Sequence, residues 1–127
     1  METDVRGHKV ILDQPSKSCG TDKGMNPGEL LLSALGACQS MVASRAAKKF
    51  DIDLQNFWVE LEGDIDPDGA RLGFQTIRST FHIESNAAIE TIEAFKEFIE
   101  EHCPIGGTIA HSVNLVSPTV VVENPVK

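Results

Sequence analysis

Asn26-Pro-Gly-Glu-Leu-Leu-Leu-Ser-Ala-Leu-Gly-Ala-Cys38 opens the longest periodic stretch of the chain, and its reading decides the fold. Asn26 is a good N-cap, Pro27 suits the first helical position, where its missing N–H would have no partner, and Glu29 stands three residues after the cap in the manner of a capping box. The pattern predicts a helix over residues 29 to about 50. Leu30, Leu31, Leu32, Leu35, Met41, Val42 and the interspersed alanines go almost right round it, so it must be covered on most sides. Arg45, Lys48 and Lys49 put cations in its last turns, where they complement the C-terminal dipole. A helix of this length and hydrophobicity is expected at the centre of the fold.

Working outward, residues 5–13 read as a strand, and residues 15–25, rich in Gly, Ser, Thr and Asp, as a loop. Beyond the helix, Phe57, Val59 and Leu61 alternate with Trp58, Glu60 and Glu62. Asp66-Pro-Asp-Gly69 then turns the chain into a run with Ile77, Phe81 and Ile83 at odd positions, a hairpin with one buried face. Ser85 or Asn86 caps a second helix, in which Ile89, Ile92, Phe95 or Lys96, and Ile99 recur at helical spacing with glutamates outside. Pro104 stops that helix, Gly106-Gly107 reads as a flexible connection, and residues 113–123 close the chain as β structure, with Pro118 at an edge or bulge. The class is α+β, in one domain over residues 1–127.

Composition narrows the function. A net charge of -8, with no dense cluster of Lys and Arg, argues against binding a phosphate backbone, which draws its affinity from counterion release. No apolar run reaches about 18 residues, and Met1-Glu-Thr-Asp-Val-Arg6 does not read as a signal peptide. The expectation is a soluble cytoplasmic protein, in which thiols rest reduced.

Cys38 and Cys103 are the residues that carry chemistry. Two thiols from distant segments in such a compartment point to reversible sulfur chemistry more than to a structural staple. Taken alone, Cys38 reads as a small buried hydrophobe. It lies about three turns into the helix, beyond the reach of the N-terminal dipole, so lowering its pKa requires a nearby cation. Cys103, at the end of a helix and before Pro104 and two glycines, sits beside backbone that can move. Cys19 in its Gly-rich loop lacks such a setting. His102 and Cys103 are adjacent on a helix and point about 100° apart, so they do not share a metal easily, and no Cys-x-x-Cys pair occurs; no metal and no organic cofactor is expected. His102 or His111 as a base beside a thiol is a rival reading, with nothing to fix a third member.

The Asn26–Cys38 stretch, followed about 65 residues later by His102-Cys103-Pro104-Ile105, resembles the OsmC/Ohr family of thiol-dependent peroxidases, the osmotically inducible and organic hydroperoxide resistance proteins. The resemblance runs over nearly the whole chain. It implies an OsmC-like fold, in which a strongly curved antiparallel sheet holds a buried central helix, and an intertwined homodimer with two sites at the subunit interface. It further implies that Cys38 attacks a small organic hydroperoxide to give a sulfenic acid, that Cys103 resolves this to a Cys38–Cys103 disulfide, and that a lipoyl-type dithiol or other small thiol reopens it. Apolar walls from Leu35, Met41, Phe95 and Phe98 would then favour a fatty or aryl hydroperoxide over hydrogen peroxide.

In that family a catalytic Glu directly follows the helix-start proline and holds an activating Arg; here Gly28 stands there and Glu29 comes one residue later. The shift turns the side chain by about 100° round the helix, so Glu29 either serves the site or caps the helix. The activating cation is expected from Arg6, in the N-terminal region, or from Arg45 in the helix. A scaffold or binding protein of this fold with slow thiol chemistry is the alternative to a peroxidase, because function resides in the site and not in the fold.

Overall fold

In a computed structural model that describes residues 1–66, 68–69 and 72–125, the capping box forms as the sequence predicts. Asn26 N donates to Glu29 Oε1 and Glu29 N to Asn26 Oδ1, both at 2.8 Å. From this cap helix α1 runs over Pro27–Lys49. The chain forms two compact units, Met1–Ser33 and Ala34–Lys127.

The first unit begins with two strands where one was expected. β1 (Glu2–Val5) and β2 (His8–Ile11) pair antiparallel, Val5 opposite His8, through a two-residue turn at Arg6 and Gly7. Both turn residues have positive φ, 53° and 86°, the turn that matches strand twist. Asp4 Oδ1 accepts from Gly7 N at 3.0 Å and holds the turn. An Arg in the left-handed region is an uncommon hairpin signal, which is why the break was not legible. The loop that follows folds round Asp13, whose carboxylate accepts from Thr21 Oγ1 and from the N–H groups of Gln14, Thr21 and Lys23. These bonds, the Thr21 hydroxyl foremost, hold its pKa down to about 2. Gly20 and Gly24 let the loop close on itself, since a Cβ would stand 2.0 Å from Gln14 O and 2.3 Å from Ile11 O, respectively.

In the second unit β3 (Asn56–Ile65) pairs antiparallel with β4 (Phe74–Glu84) along its length, with a bulge at Asp64/Ile65. The Asp66–Gly69 turn shows Gly69 at φ 68° with its N–H on Asp66 O; Pro67 lies outside the described residues. Helix α2 (Ile89–His102) follows, then α3 (Pro104–Ala110), β5 (Asn114–Leu115) and β6 (Thr119–Glu123). β5 and β6 both join the other edge of β4, and both run parallel to it. The antiparallel expectation thus holds for β1–β2 and β3–β4. The last two strands are parallel because two helices return the chain to the start of β4.

Two local expectations are corrected. Ser85 and Asn86 do not cap α2; its N-cap is Ala88. Ser85 is buried, its N–H donates to Glu123 O, and its hydroxyl accepts from Ala87 N, so it stays with the sheet and the helix starts later. Gly106-Gly107 is not a loose connection but the middle of α3. Pro104 starts that helix and Cys103 caps it, which outweighs the low helix propensity of two glycines.

The core follows the odd positions of β4. Ile77, Phe81 and Ile83 are buried, and Phe57 and Val59 on β3 pack against the cluster that holds Phe81 and Ile83. Val42, Ala43, Ala46 and Ala47 on α1 and Ile92, Phe95 and Ile99 on α2 complete it. Phe57 meets Phe95 edge-on with ring centroids 6.0 Å apart. By length and composition α1 is apolar enough for a membrane span, with a mean hydropathy of 1.2, against the expectation that no run is so long. Its burial is one-sided, also against expectation: Met41 is 71% exposed, and Ala34 and Ala37 are open too. Its buried side chains, Leu35, Gln39, Val42, Ala43, Ala46 and Ala47, fall on one face, and the other face is left to solvent.

Candidate functional site

Cys103 sits where two helices meet. It ends α2 and caps α3 in an extended conformation, φ -91° and ψ 105°, and its Sγ accepts from Gly106 N at 3.4 Å. Pro104 forces this break, because the residue before a proline is pushed out of the helical region. The thiol is 5% exposed. Cys38, half-buried on α1, is its neighbour and interacts with it. The two sulfurs, far apart in the chain, are therefore adjacent in the fold and both reduced.

Burial foremost, and then the neighbouring Cys38 thiol, push the Cys103 thiol up to about 11, against the pull of the Gly106 N–H. An unfolded cysteine, near 9.0, loses its proton first as pH rises. The preference of the fold for this thiol is thus fully present below about pH 9 and is lost as pH climbs through about 11. The urea midpoint is expected to fall over that window, and to fall less steeply in Cys103→Ala.

Beside the pair lies a cavity of about 160 Å³, lined by Gln39, Glu100, Cys103, Gly106, Leu115 and Val116, among others. Glu100 Oε1 accepts from Ser117 Oγ at 3.0 Å, and the carboxylate stands exposed. None of Leu35, Met41, Phe95 and Phe98 lines this cavity. Leu35 and Phe95 are wholly buried, Met41 faces solvent, and Phe98 meets Phe50 edge-on and stacks on the His102 ring. Apolar residues at helical spacing do not reveal in sequence which of them face a void and which face one another.

The polar candidates are placed as follows. Glu29 is held in the capping box and Arg6 in the hairpin turn, both in the first unit. Arg45 is exposed on α1. His102 bonds through Nδ1 to Phe98 O at 2.9 Å, and His111 is the exposed C-cap of α3. Cys19 is exposed. Among the described residues no three His, Cys, Asp or Glu side chains gather as a metal site.

Sequence reasoning missed Gln39. It continues the core stripe Leu35, Val42 and Ala46 of α1 and is 5% exposed; its Nε2 donates to Ser79 Oγ at 3.0 Å. A polar residue on an apolar stripe, directly after Cys38, was the available signal.

Comparison with known proteins adds four likenesses. A family model described as OsmC-like protein matches residues 20–117. A hydroperoxide reductase of Mycoplasma genitalium is 27% identical over 118 residues, covering 89% of this chain and 82% of that protein. Among solved structures, an OsmC-like protein from Mycoplasma pneumoniae superposes with a TM-score of 0.82 at 24% identity, over 97% of this chain and 86% of that one. An organic hydroperoxide resistance protein OsmC from Legionella pneumophila gives 0.68 at 22% identity, over 91% and 82%. At these identities the structures speak for the fold alone.

Proposed function

The chain belongs to the OsmC-like protein family, and on that premise we propose that it is a thiol-dependent peroxidase that reduces small organic hydroperoxides. The observation that carries this reading is the contact between the Cys38 and Cys103 thiols. The name of the Mycoplasma genitalium relative, hydroperoxide reductase, agrees with it.

Cys38, the more exposed of the two, acts as the nucleophile. Its thiolate attacks the terminal oxygen of the hydroperoxide; an S–O bond forms, the O–O bond breaks, and the alkoxide takes up the proton that Cys38 gave up on ionising. The sulfur is oxidised to sulfenic acid as the peroxide is reduced to alcohol. Cys103, held as a thiol by its burial, then condenses with the sulfenic acid to give the disulfide and water. A dithiol of the lipoyl type, or two monothiols, returns both cysteines to the reduced form. The open face of α1 at Ala34, Ala37 and Met41 suits a second copy of the chain and supports the homodimer. A soluble cytoplasmic protein fits the reduced thiols.

One observation favours the alternative, a scaffold or binding protein with slow thiol chemistry: the only acid at the helix start, Glu29, is committed to the cap. Steady-state turnover of cumene hydroperoxide and hydrogen peroxide, each with a dithiol and a monothiol reductant, decides between them. Preferred turnover of cumene hydroperoxide with the dithiol is expected. No turnover with any pairing would leave the scaffold.

A further inference from the structure

The carboxamide of Gln39 is a polar group that the packing leaves incomplete. One end is anchored on Ser79, itself 3% exposed, whereas Oε1 is buried with no hydrogen-bond partner. Unmet acceptors in a protein interior are costly and rare, and one that persists calls for a donor that arrives later. Gln39 also lines the cavity onto which Cys103 opens, and Cys103 neighbours Cys38. The unmet acceptor thus belongs to a residue that lines the void together with Cys103, and Cys38 lies next to Cys103 outside that lining.

We propose that Gln39 binds the substrate: its Oε1 accepts a hydrogen bond from the terminal O–H of an organic hydroperoxide seated in this cavity. The assignment rests on the peroxidase reading and deepens it. The acceptor holds the oxygen that Cys38 attacks. When the S–O bond forms and the O–O bond breaks, that hydrogen stays on its oxygen, which becomes the sulfenic hydroxyl, so the same bond serves before and after the step. Ser79 keeps the carboxamide from turning away. The organic group faces Leu115, Val116 and Pro118, and a cavity of about 160 Å³ has room for a group of roughly the size of a benzene ring. The site therefore selects compact hydroperoxides with a free O–H over dialkyl peroxides and long-chain ones.

The test uses the full chain, reduced, with two reagents for Cys38: cumene hydroperoxide, which carries the O–H, and iodoacetamide, which does not. Gln39→Met is expected to slow Cys38 oxidation about tenfold, the equivalent of one hydrogen bond, while alkylation stays within about twofold. Adding Ser79→Ala, so that no polar group is left unmet, is expected to raise the thermal midpoint without restoring the oxidation rate. Gln39→Asn, which withdraws the acceptor by one methylene, replaces the Met variant should that one not fold. Equal slowing of both reagents would show a structural role and overturn the assignment, as would an unchanged oxidation rate in a variant of an active wild type. A wild-type Cys38 inert to the hydroperoxide would overturn the peroxidase reading and this assignment together.

Discussion

Replacing Cys38 with Ser is expected to lower turnover of an organic hydroperoxide by a factor on the order of 10³ or more, because a serine hydroxyl is hardly ionised at neutral pH and is a poor nucleophile toward an O–O bond. Cys103→Ser is expected to behave differently. Cys38 still reacts once, yielding one alcohol per chain and a sulfenic acid visible by intact mass, and turnover then stalls for want of the neighbouring thiol. The asymmetry follows from position. Cys38 is half-buried and meets incoming reagents; Cys103 is 5% exposed, and burial raises its pKa so that it waits as a thiol. Product counting in a single-turnover assay checks both. Wild-type steady-state rates in both variants would rule out the two-cysteine scheme.

Phe95→Ala is the second large effect, and it separates a pocket wall from a core residue. The ring is wholly buried between Phe57 and the α1 side of the cluster, and does not line the cavity at Cys103. Truncation removes a large apolar group and leaves a void that neighbours in β4 and α2 fill only in part. The expected cost is about 3–5 kcal/mol of unfolding free energy, a large share of the stability of a domain of this size. Urea titration followed by circular dichroism measures it. If the variant kept wild-type stability but changed its preference among hydroperoxides, Phe95 would belong to the substrate pocket after all.

What could be read directly was what neighbours in sequence decide. The cap of α1 rests on Asn26 and Glu29, three residues apart, and forms as expected. The alternation of β3 and β4 and the positions Ile92, Phe95 and Ile99 of α2 are likewise local patterns with one sensible burial, whereas Ile89, expected on the same stripe, is 63% exposed at the first turn of the helix. Where local signals competed, tertiary contacts won. Ser85 has the makings of an N-cap but is claimed by Glu123 on β6, and Gly106-Gly107 lacks helix propensity but is helical because Pro104 and the Cys103 thiol start the turn.

By itself the sequence determined the α+β class, the two long helices, the hairpin and the resemblance carried by the two cysteine motifs, since each depends on spacing along a few turns or one strand pair. Only the tertiary structure decided that Cys38 and Cys103 touch, that Gln39 reaches Ser79 across 40 residues, and which apolar side chains face the cavity and which fill the core. The physical reason is that contact between distant segments depends on how helices and sheet pack on one another. Periodicity tells which way a side chain leaves its own element, and packing alone tells what it meets.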